Sequence, residues 1–307
     1  MTATSTVGCP CCGQTGPIRI GPLPDRRRFA GVWLAQALPG GTLYRCRRCQ
    51  LKFRHPALDP AQYERLYDNA ATTSWSVDAV RLDWDLIADL IRERLPQGGS
   101  VLDFGCYTGG LLARMDARLD RYGVEVNHAA AAVAGTRSGA QVWTSPDLIP
   151  PALRFDVVIA ADVVEHLGDP TGLIARLCAL LADDGVLVLT TGDADNRLWN
   201  RFGANWWYCY YPEHVAFLSA AWLRYVCPAQ GWTLVRCETF RYRALPPLRR
   251  LLETVLTYGY GWFPATYLYV GDMLARLIGR PGLYSPPGNG VGDDHLCIVI
   301  GRDATRP

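Results

Sequence analysis

The stretch Val101–Leu112, VLDFGCYTGGLL, constrains the fold of this chain more than any other segment. An apolar run ending in Asp103 is typical of a buried strand, glycines follow at positions 105, 109 and 110, and a helical pattern begins at Leu111. Glycines suit such a turn because the backbone then passes close under a ligand and leaves helix N–H groups uncovered. The stretch predicts a strand, a glycine turn and a helix that hold a nucleoside, although an ordinary βα loop without a ligand is the alternative.

Further strand patterns follow at the spacing of an alternating βα fold. Arg121–Val126 predicts a second strand, and Glu125 near its carboxyl end comes 22 residues after Asp103, where an acidic side chain can bind both ribose hydroxyls. Phe155–Asp162 is nearly continuously apolar, as expected of a parallel strand covered on both faces. Helical patterns alternate with these strands as far as Gly185–Thr190. The pattern therefore predicts a parallel, doubly wound sheet with its ligand at the carboxyl ends of the strands.

Three motifs in this order, VLDFGCYTGG, YGVEVN and FDVVIAADVVEHLGDP, resemble the class I S-adenosylmethionine (SAM)-dependent methyltransferases over roughly residues 100–240. The resemblance implies a Rossmann-like, doubly wound α/β sheet of the class I methyltransferase type, with SAM as cofactor. Asp103 and Gly105 would shape the methionine end of the SAM pocket, and Glu125 would hold the ribose. Asp162 would begin the wall that faces the acceptor. The expected cofactor-binding residues are Asp103, Gly105, Cys106, Tyr107, Gly109, Glu125, Val126, Ser145, Asp162 and His166.

Two of these positions are less sharply defined by the pattern. Tyr107 departs from the family, which usually has a small residue there, most often glycine. A tyrosine could crowd SAM or cover it as a lid, and it keeps a non-catalytic SAM-fold scaffold open as an alternative. After the third predicted strand, Ala140–Thr144, either Ser145 or Asp147 is the expected contact to the adenine amine.

Two C-x-x-C pairs, Cys9 with Cys12 and Cys46 with Cys49, predict a metal site near the start of the chain. Two such knuckles supply four thiolates in the tetrahedral, closed arrangement that structural Zn²⁺ prefers. We therefore expect a zinc ribbon over residues 1–58, with unliganded buried cysteines as the alternative and Cys11 as a possible substitute ligand. The basic segment at 22–28 between the knuckles is interpreted as a solvated turn rather than a contact to an anionic substrate.

Composition bounds the compartment and the partners. A net charge of +2 over 307 residues lacks the basic field of a nonspecific nucleic-acid binder, so a nucleic-acid partner is not expected. A zinc-ribbon RNA methyltransferase remains the alternative because Arg45, Arg47 and Arg48 surround the second knuckle. No apolar run approaches the ~18 residues of a membrane span, and the start of the chain does not read as a secretory signal. The sequence therefore predicts a cytoplasmic protein without a transmembrane segment.

The rest of the chain is divided by its helical patterns. We expect a helical connector over residues 59–98, the SAM-binding core over 99–240, a helical insertion over 241–291, and the last core strand and tail over 292–307. The insertion contains two amphipathic segments, Leu248–Leu256 and Tyr267–Ile278, separated by YGYGWFP. We interpret it as a lid or an oligomer contact, with a homodimer as one outcome, rather than as a membrane contact.

The DVVEH motif raises the question of a second metal. It holds Asp162, Glu165 and His166, and a similar set binds a divalent cation in quinone-type O-methyltransferases of the resembled family. Metal-assisted deprotonation of an acceptor hydroxyl is therefore one alternative. The other is that Glu165 and His166 only cap and anchor the following helix.

The segment YPEH at 211–214 predicts the catalytic group, because it resembles the acceptor-side motif of zinc-containing deoxysugar C-methyltransferases. Methyl transfer needs in-line positioning and removal of a proton from a hydroxyl, amine or activated carbon. His214 suits the role of general base because the imidazole pKa is near working pH. Glu213 would orient it or share the proton, and either Tyr210 or Tyr211 would donate to an acceptor oxygen. The alternative is that His214 only tethers its loop.

The acceptor itself is expected to be a small or carrier-linked molecule. The aromatic run at 199–211, WNRFGANWWYCYY, is suited either to stacking on such an acceptor or to packing as a satellite core, and both alternatives are open.

Overall fold

The computed structural model describes residues 7–69, 81–280, 285–288 and 291–302 of the chain. Its N-terminal part is antiparallel β structure, in which β4 pairs with both β1 and β5, and β2 pairs with β3 as a hairpin. These strands are β1 (Ile18–Pro22), β2 (Arg26–Phe29), β3 (Val32–Leu38), β4 (Thr42–Arg45) and β5 (Lys52–His55). The predicted solvated turn at 22–28 is therefore partly wrong, because β2 occupies its second half.

Burial of one aromatic residue explains that hairpin. Phe29 is 1% exposed and packs edge-on against the rings of Tyr63 and Tyr67, with centroid distances of 5.4 and 5.1 Å. Both tyrosines lie on α1 (Pro60–Asp68), whose first turn is capped by the Asp59 carboxylate through the Gln62 N–H. The hairpin between the knuckles is thus anchored on the first helix.

A seven-stranded sheet forms the main core, in the order β12-β13-β10-β9-β6-β7-β8. β13 is antiparallel to both of its neighbours, and the other paired strands are parallel to each other, so the predicted α/β, doubly wound class is confirmed. In chain order, the elements after α1 are α2 (Leu82–Arg94), β6 (Gly99–Phe104), β7 (Leu119–Val124), α3 (His128–Ser138), β8 (Gln141–Trp143), β9 (Phe155–Ala161), α4 (Pro170–Ala179), β10 (Leu181–Gly192), α5 (Arg197–Phe202), β11 (Ala216–Phe217), α6 (Ala220–Gln230), β12 (Trp232–Phe240), α7 (Pro247–Trp262), α8 (Pro264–Leu277) and β13 (His295–Arg302).

The chain changes direction across this sheet between β6 and β9. From β6 it proceeds outward to β7 and β8, and it then returns to β9 on the other side of β6. The middle of β9 is fully buried, in agreement with its continuous apolar run. Ligands of such sheets bind in the crevice at the carboxyl ends of the strands flanking this reversal.

The prediction of a helix after the glycine turn is wrong. Only a 3₁₀ turn over Leu112–Arg114 forms within the 14 residues that separate β6 from β7. A local turn uses the end of this segment, where the Asp116 carboxylate accepts from the Arg118 backbone N–H at 2.9 Å. Leu111 and Leu112, which supplied the helical pattern, are 3% and 0% exposed and pack in the core.

The N-terminal module, formed by β1 to β5, shares a sheet with the core. β11 pairs antiparallel with β5, with Ala216 opposite Phe53, so the smaller sheet runs β1-β4-β5-β11. Cys11 adds a second attachment, because its Sγ lies 3.3 Å from both Thr171 Oγ1 and Trp222 Nε1. Cys11 therefore contacts the core.

The insertion before the last strand is helical, as predicted, but its helices are longer than expected. α7 continues through most of the YGYGWFP segment, and only Phe263 separates it from α8. The helical connector predicted over residues 59–98 contains α1 and α2, and its residues 70–80 lie outside the described part of the chain. Within the described ranges, no helix has both the length and the apolar character required to cross a bilayer.

Candidate active site

The four predicted metal-binding cysteines come together. The Sγ atoms of Cys9, Cys12, Cys46 and Cys49 all lie within 4.8 Å of one another. Two pairs, Cys9 with Cys49 and Cys12 with Cys46, are 3.5 Å apart. Thiolates around a tetrahedral zinc with Zn–S bonds of about 2.3 Å lie about 3.8 Å apart, so the cluster has the dimensions of a closed zinc site.

The glycine turn follows β6 at the carboxyl edge of the main sheet. Gly105 has a φ of +80°, and a Cβ atom there would lie only 2.6 Å from Val163 Cγ2. Tyr107 has a φ of +48°, the left-handed conformation that glycine usually supplies. Its N–H donates to the Glu125 carboxylate at 2.9 Å, which offsets part of the conformational cost. The backbone of the turn therefore follows the course expected of a glycine at 107.

Glu125 lies directly after β7, beside this turn. Its other carboxylate oxygen accepts from the Asn127 N–H at 2.8 Å, so two backbone amides orient the side chain. Burial raises the pKa of this half-buried carboxyl, while those amides oppose the shift. Val126 is 52% exposed, and Ser145 accepts from the Asp147 N–H at 3.2 Å at the start of a 3₁₀ turn. Glu125 and Ser145, the expected contacts to ribose and adenine, thus both lie at the carboxyl edge of the main sheet.

Two aspartates complete the carboxyl edge. Asp103 is 3% exposed, and burial raises the pKa of its carboxyl to about 7. Asp162, with a φ of +54°, accepts from Arg81 Nη2 at 2.7 Å and from Tyr242 Oη at 2.8 Å. Arg81 also pairs with the buried carboxylate of Asp83. Acidic groups outnumber basic ones here, so the edge favours a positively charged ligand.

Two histidines meet beside this edge. The ring centroids of His166 and His214 are 4.9 Å apart, and the backbone N–H of Val215 donates to the Glu165 carbonyl at 2.8 Å, which joins the two segments. Tyr67 Oη lies 2.5 Å from His166 Nδ1. Burial lowers the pKa of His166 to about 4, so its ring is neutral near neutral pH.

The hydrogen bond of His214 defines its tautomer. Nδ1 lies 2.9 Å from the backbone carbonyl oxygen of Tyr208. A carbonyl can only accept, so Nδ1 carries the proton and Nε2 presents the lone pair. Burial lowers the pKa of His214 well below its ordinary value, and the neighbouring His166 lowers it further. His214 is therefore a neutral imidazole of lower basicity than the sequence led us to expect.

Glu213 and Tyr211 flank this histidine. The Glu213 carboxylate accepts from the Ala30 N–H at 3.3 Å through Oε1, while its buried Oε2 has no hydrogen-bond partner among the described residues. Burial raises the pKa of Glu213 to about 7. The Tyr211 ring lies 5.3 Å from that of His214, and burial raises the pKa of its hydroxyl to about 12. Within the described chain, it is Tyr208 that holds the His214 ring, whereas the Glu213 carboxylate bonds the N-terminal hairpin.

The residues that could hold a second metal differ from the set predicted from the DVVEH motif. Ligand atoms of Glu165, His166 and His214 lie within 4.8 Å of one another, but Asp162 lies outside the group and is paired with Arg81. Both Glu165 oxygens accept hydrogen bonds, one from Tyr208 Oη and one from Thr191 Oγ1 at 3.0 Å. Glu165 therefore has a structural role in the observed arrangement.

The aromatic run at 199–211 packs as a satellite core, the second of its two alternatives. Its large rings are between 0% and 6% exposed at Trp199, Trp206, Trp207 and Tyr208. Tyr208 nevertheless contributes to the site, because its ring centroid lies 4.2 Å from that of His214. The run thus forms the wall behind the histidine.

Two charged residues of β5 were missed by the sequence analysis. Lys52 and Arg54 are each 4% exposed, and the Arg54 guanidinium donates to four backbone carbonyls, of His214 (3.0 Å), Cys209 (2.9 Å), Tyr211 (3.0 Å) and Gly40 (2.6 Å). Lys52 Nζ donates to Asn200 Oδ1 at 2.8 Å and to the Ala194 carbonyl. Charged residues on a short strand ordinarily indicate a solvated face, so the sequence carries no signal for these inward contacts.

Comparison with known proteins gives a consistent family assignment. A family model described as a methyltransferase domain matches residues 80–236, just over half of the chain. A curated ubiquinone biosynthesis O-methyltransferase of Cereibacter sphaeroides is 31% identical over 169 residues, which cover 52% of this chain and 65% of that protein. The chain thus spans a little less than two thirds of this relative's length.

Solved structures show weaker similarity. The N-methyltransferase NodS of Bradyrhizobium japonicum, in complex with S-adenosyl-L-homocysteine, aligns with a TM-score of 0.46 and 13% identity, covering 78% of this chain and 97% of that one. Coclaurine N-methyltransferase, bound to N-methylheliamine and S-adenosyl-L-homocysteine, aligns with a TM-score of 0.44 and 15% identity, covering 80% and 79% of the two chains.

Proposed function

This chain belongs to the methyltransferase domain family, and on that premise we propose that it transfers a methyl group from SAM to a small-molecule acceptor, with His214 as general base. The observation that carries the proposal is the hydrogen bond from His214 Nδ1 to the Tyr208 carbonyl. It leaves Nε2 as the proton-accepting nitrogen of the ring.

The residues at that edge fit SAM, which supplies a methyl group activated on a positively charged sulfonium. The backbone at Gly105 would pass closely under the cofactor, and a side chain there would clash with Val163. Glu125 would accept from the ribose hydroxyls, as the resemblance implied. The carboxyl groups of Asp103 and Asp162 give the edge a negative character that matches the cationic groups of SAM.

Removal of the acceptor's proton would fall to His214. Nε2 accepts the proton, while Nδ1–H remains bonded to the Tyr208 carbonyl and stabilises the imidazolium that forms. Tyr211, protonated at neutral pH because its pKa is raised to about 12, can donate to an acceptor oxygen. Glu213 fixes the loop against the N-terminal hairpin through the Ala30 N–H, and its raised pKa makes it a second titratable group of the site.

An acidic hydroxyl is the acceptor group that this base supports best. A buried, neutral histidine with a lowered pKa removes a proton more readily from a phenol-type hydroxyl than from an alcohol. The curated relatives are named as O-methyltransferases, which agrees with transfer to oxygen. We infer a small hydroxylated acceptor on this basis, and carrier linkage and a homodimer remain predictions.

The four-cysteine cluster is proposed to hold one structural Zn²⁺. Four thiolates at the observed spacing complete the tetrahedral shell and leave no position open for chemistry. The metal would fix the fold of the ribbon and act on catalysis through β5, whose Arg54 holds the His214 loop.

The test of the general base separates catalysis from tethering. We expect His214→Ala to lower turnover of a phenolic acceptor by about 10²-fold or more, with SAM affinity in calorimetry unchanged. His128→Ala, at an exposed histidine on α3, is the matched control and should retain full turnover. Near-normal turnover of His214→Ala at saturating acceptor would contradict the role of His214 as base, and absence of heat with SAM in the parent protein would contradict the proposed activity.

A further inference from the structure

The two helices between β12 and β13 turn apolar side chains away from the body of the protein. Among the described residues, 20 large apolar side chains are exposed, and 13 of them lie between Leu248 and Ile278. This segment makes up about a tenth of the chain. Monomeric proteins rarely expose so concentrated an apolar surface, which therefore requires a partner of some kind.

The exposed side chains of α7 follow one helical face. Leu248, Leu251, Leu252 and Val255 recur at i, i+3, i+4 and i+7 and are 81%, 62%, 57% and 61% exposed. The residues that α7 buries, Thr257, Tyr260 and Gly261, lie on the opposite side. A surface helix ordinarily buries its apolar stripe against the core, and α7 does the reverse.

α8 repeats this arrangement. It buries Gly271 and Ala275, while Val270, Leu274 and Leu277 are 41%, 53% and 75% exposed. The two helices adjoin near their junction, where the rings of Tyr260 and Tyr267 are 5.5 Å apart. Together they present two neighbouring apolar faces, which we call the outward surface of α7 and α8.

This pair of helices is fixed on the satellite core. A Cβ atom at Gly261 would lie 2.5 Å from the Phe202 ring, so α7 approaches that ring as closely as its backbone permits. The Trp262 ring also packs edge-on against Phe202, at 5.7 Å between centroids. The outward surface is therefore held in place by the packing of α7 on Phe202.

Charge distinguishes between the partners this surface could take. Residues 247–280 contain four arginines, Arg249, Arg250, Arg276 and Arg280, against two carboxylates, Glu253 and Asp272. All four arginines lie near the helix ends remote from the Phe263 junction. A second copy of the chain would bring the same positive charge, whereas a surface with negative groups would complement it.

The junction carries the aromatic residues. Trp262 and Phe263 are 53% and 68% exposed, and Tyr269 on the first half of α8 is 71% exposed. Leucines and aromatic side chains on one face of a helix, with arginines off that face, are typical of helices that lie in the headgroup region of a bilayer. Since neither helix can cross a membrane, such a contact would lie in the plane of the interface.

We propose that the outward surface of α7 and α8 docks on a membrane that contains anionic lipids. The leucines and the junction aromatics enter the headgroup and acyl boundary, and the arginines contact lipid phosphates. This inference goes beyond the proposed methyl transfer and does not depend on it.

The test is co-sedimentation of the full chain with vesicles of phosphatidylcholine containing about 30 mol% phosphatidylglycerol. We expect binding that weakens with added salt and is weaker on pure phosphatidylcholine. The double variant Leu251→Glu with Leu274→Glu should reduce the partition coefficient by about tenfold or more, because it places two carboxylates in the apolar surface. Val235→Glu, at a residue of β12 that is 55% exposed, is the matched control and should bind like the parent.

Two results would overturn the proposal. One is the absence of binding to the anionic vesicles by a protein with a normal thermal unfolding transition. The other is a parent protein that sediments as a dimer and a double variant that sediments as a monomer, with equal vesicle binding by both. Both variants change only exposed side chains, and we expect them to fold like the parent. Circular dichroism spectra equal to that of the parent protein would confirm this.

Discussion

Arg54 Nε donates a hydrogen bond of 3.0 Å to the backbone carbonyl oxygen of His214. The same guanidinium donates to the carbonyls of Cys209 and Tyr211, so one side chain from the N-terminal module fixes three points of the loop that carries the proposed base. Burial lowers the pKa of Arg54, yet four carbonyl partners compensate for the lost hydration of its charge. The position of His214 is therefore set partly by a residue 160 positions earlier in the chain.

Arg54→Met should reduce turnover more than it reduces cofactor binding. The variant leaves buried carbonyls of the loop without donors, at a cost of about 1 to 3 kcal/mol of stability for each group left unsatisfied. We expect at least about tenfold lower kcat with unchanged SAM affinity, measured by steady-state kinetics and calorimetry. Arg19→Met, at an exposed arginine of β1, should change neither. Equal kcat in both variants would rule out a positioning role for Arg54.

Metal content can be measured directly. Protein purified without chelator should contain about one zinc per chain, and Cys46→Ser should lose it and unfold at a lower temperature, because three thiolates do not complete the shell. Cys11→Ser is the matched control: Cys11 contacts Thr171 and Trp222, so zinc should be retained. Elemental analysis and thermal unfolding of both variants give the answer, and a parent protein free of zinc would disprove the assignment.

Glu125→Ala should weaken SAM binding by about 1 to 3 kcal/mol, the usual effect of losing a charged acceptor. Part of this loss would arise from the glycine turn, because Glu125 also accepts from the Tyr107 N–H. Calorimetry with SAM measures the change, and Asp120→Ala, at an exposed carboxylate of β7, should bind normally. If Glu125→Ala bound SAM like the parent, the ribose contact would have to be sought elsewhere.

Glu213 should make stability depend on pH. Burial raises the pKa of its carboxyl from about 4.5 in the unfolded chain to about 7 in the folded protein, so folding favours the protonated form. This contribution is complete below pH about 4.5 and is lost as the pH rises through about 7. Glu213→Gln should therefore gain stability relative to the parent at pH 8, by up to about 3 kcal/mol, and not at pH 4.

Urea unfolding of parent and Glu213→Gln protein at the two pH values measures that difference. Glu64→Gln, at an exposed glutamate of α1, is the control and should show no pH-dependent change. A Glu213→Gln effect of the same size at pH 4 and pH 8 would mean that packing, rather than ionisation, accounts for it.

Local patterns were sufficient to predict the core sheet. The near-continuous apolar run of β9 and the alternation of strands and helices established the α/β class, because burial on both faces of a parallel sheet leaves a direct trace in composition. The clustering of the four cysteines was equally predictable, since two C-x-x-C pairs are the spacing typical of a zinc site. Both features depend on residues close together in the sequence.

Contacts between distant segments could not be predicted in this way. The pairing of Phe53 with Ala216 joins residues more than 160 positions apart, and β11 has only two residues, too few for an alternation pattern. Without knowledge of that pairing, the sequence predicts that the side chains of Lys52 and Arg54 are solvated. The helix predicted after the glycine turn failed for a different reason, since Leu111 and Leu112, which supplied its pattern, are buried in the core next to a 3₁₀ turn.

The pairing of β5 with β11 also has a consequence for synthesis on the ribosome. All four cysteines emerge before residue 50, so the knuckles can close around a metal while the rest of the chain is still being translated. The free edge of β5 then has to wait until residue 217 has left the exit tunnel. During that interval the edge of β5 is unpaired, and the charged side chains of Lys52 and Arg54 on that strand disfavour its pairing with another chain.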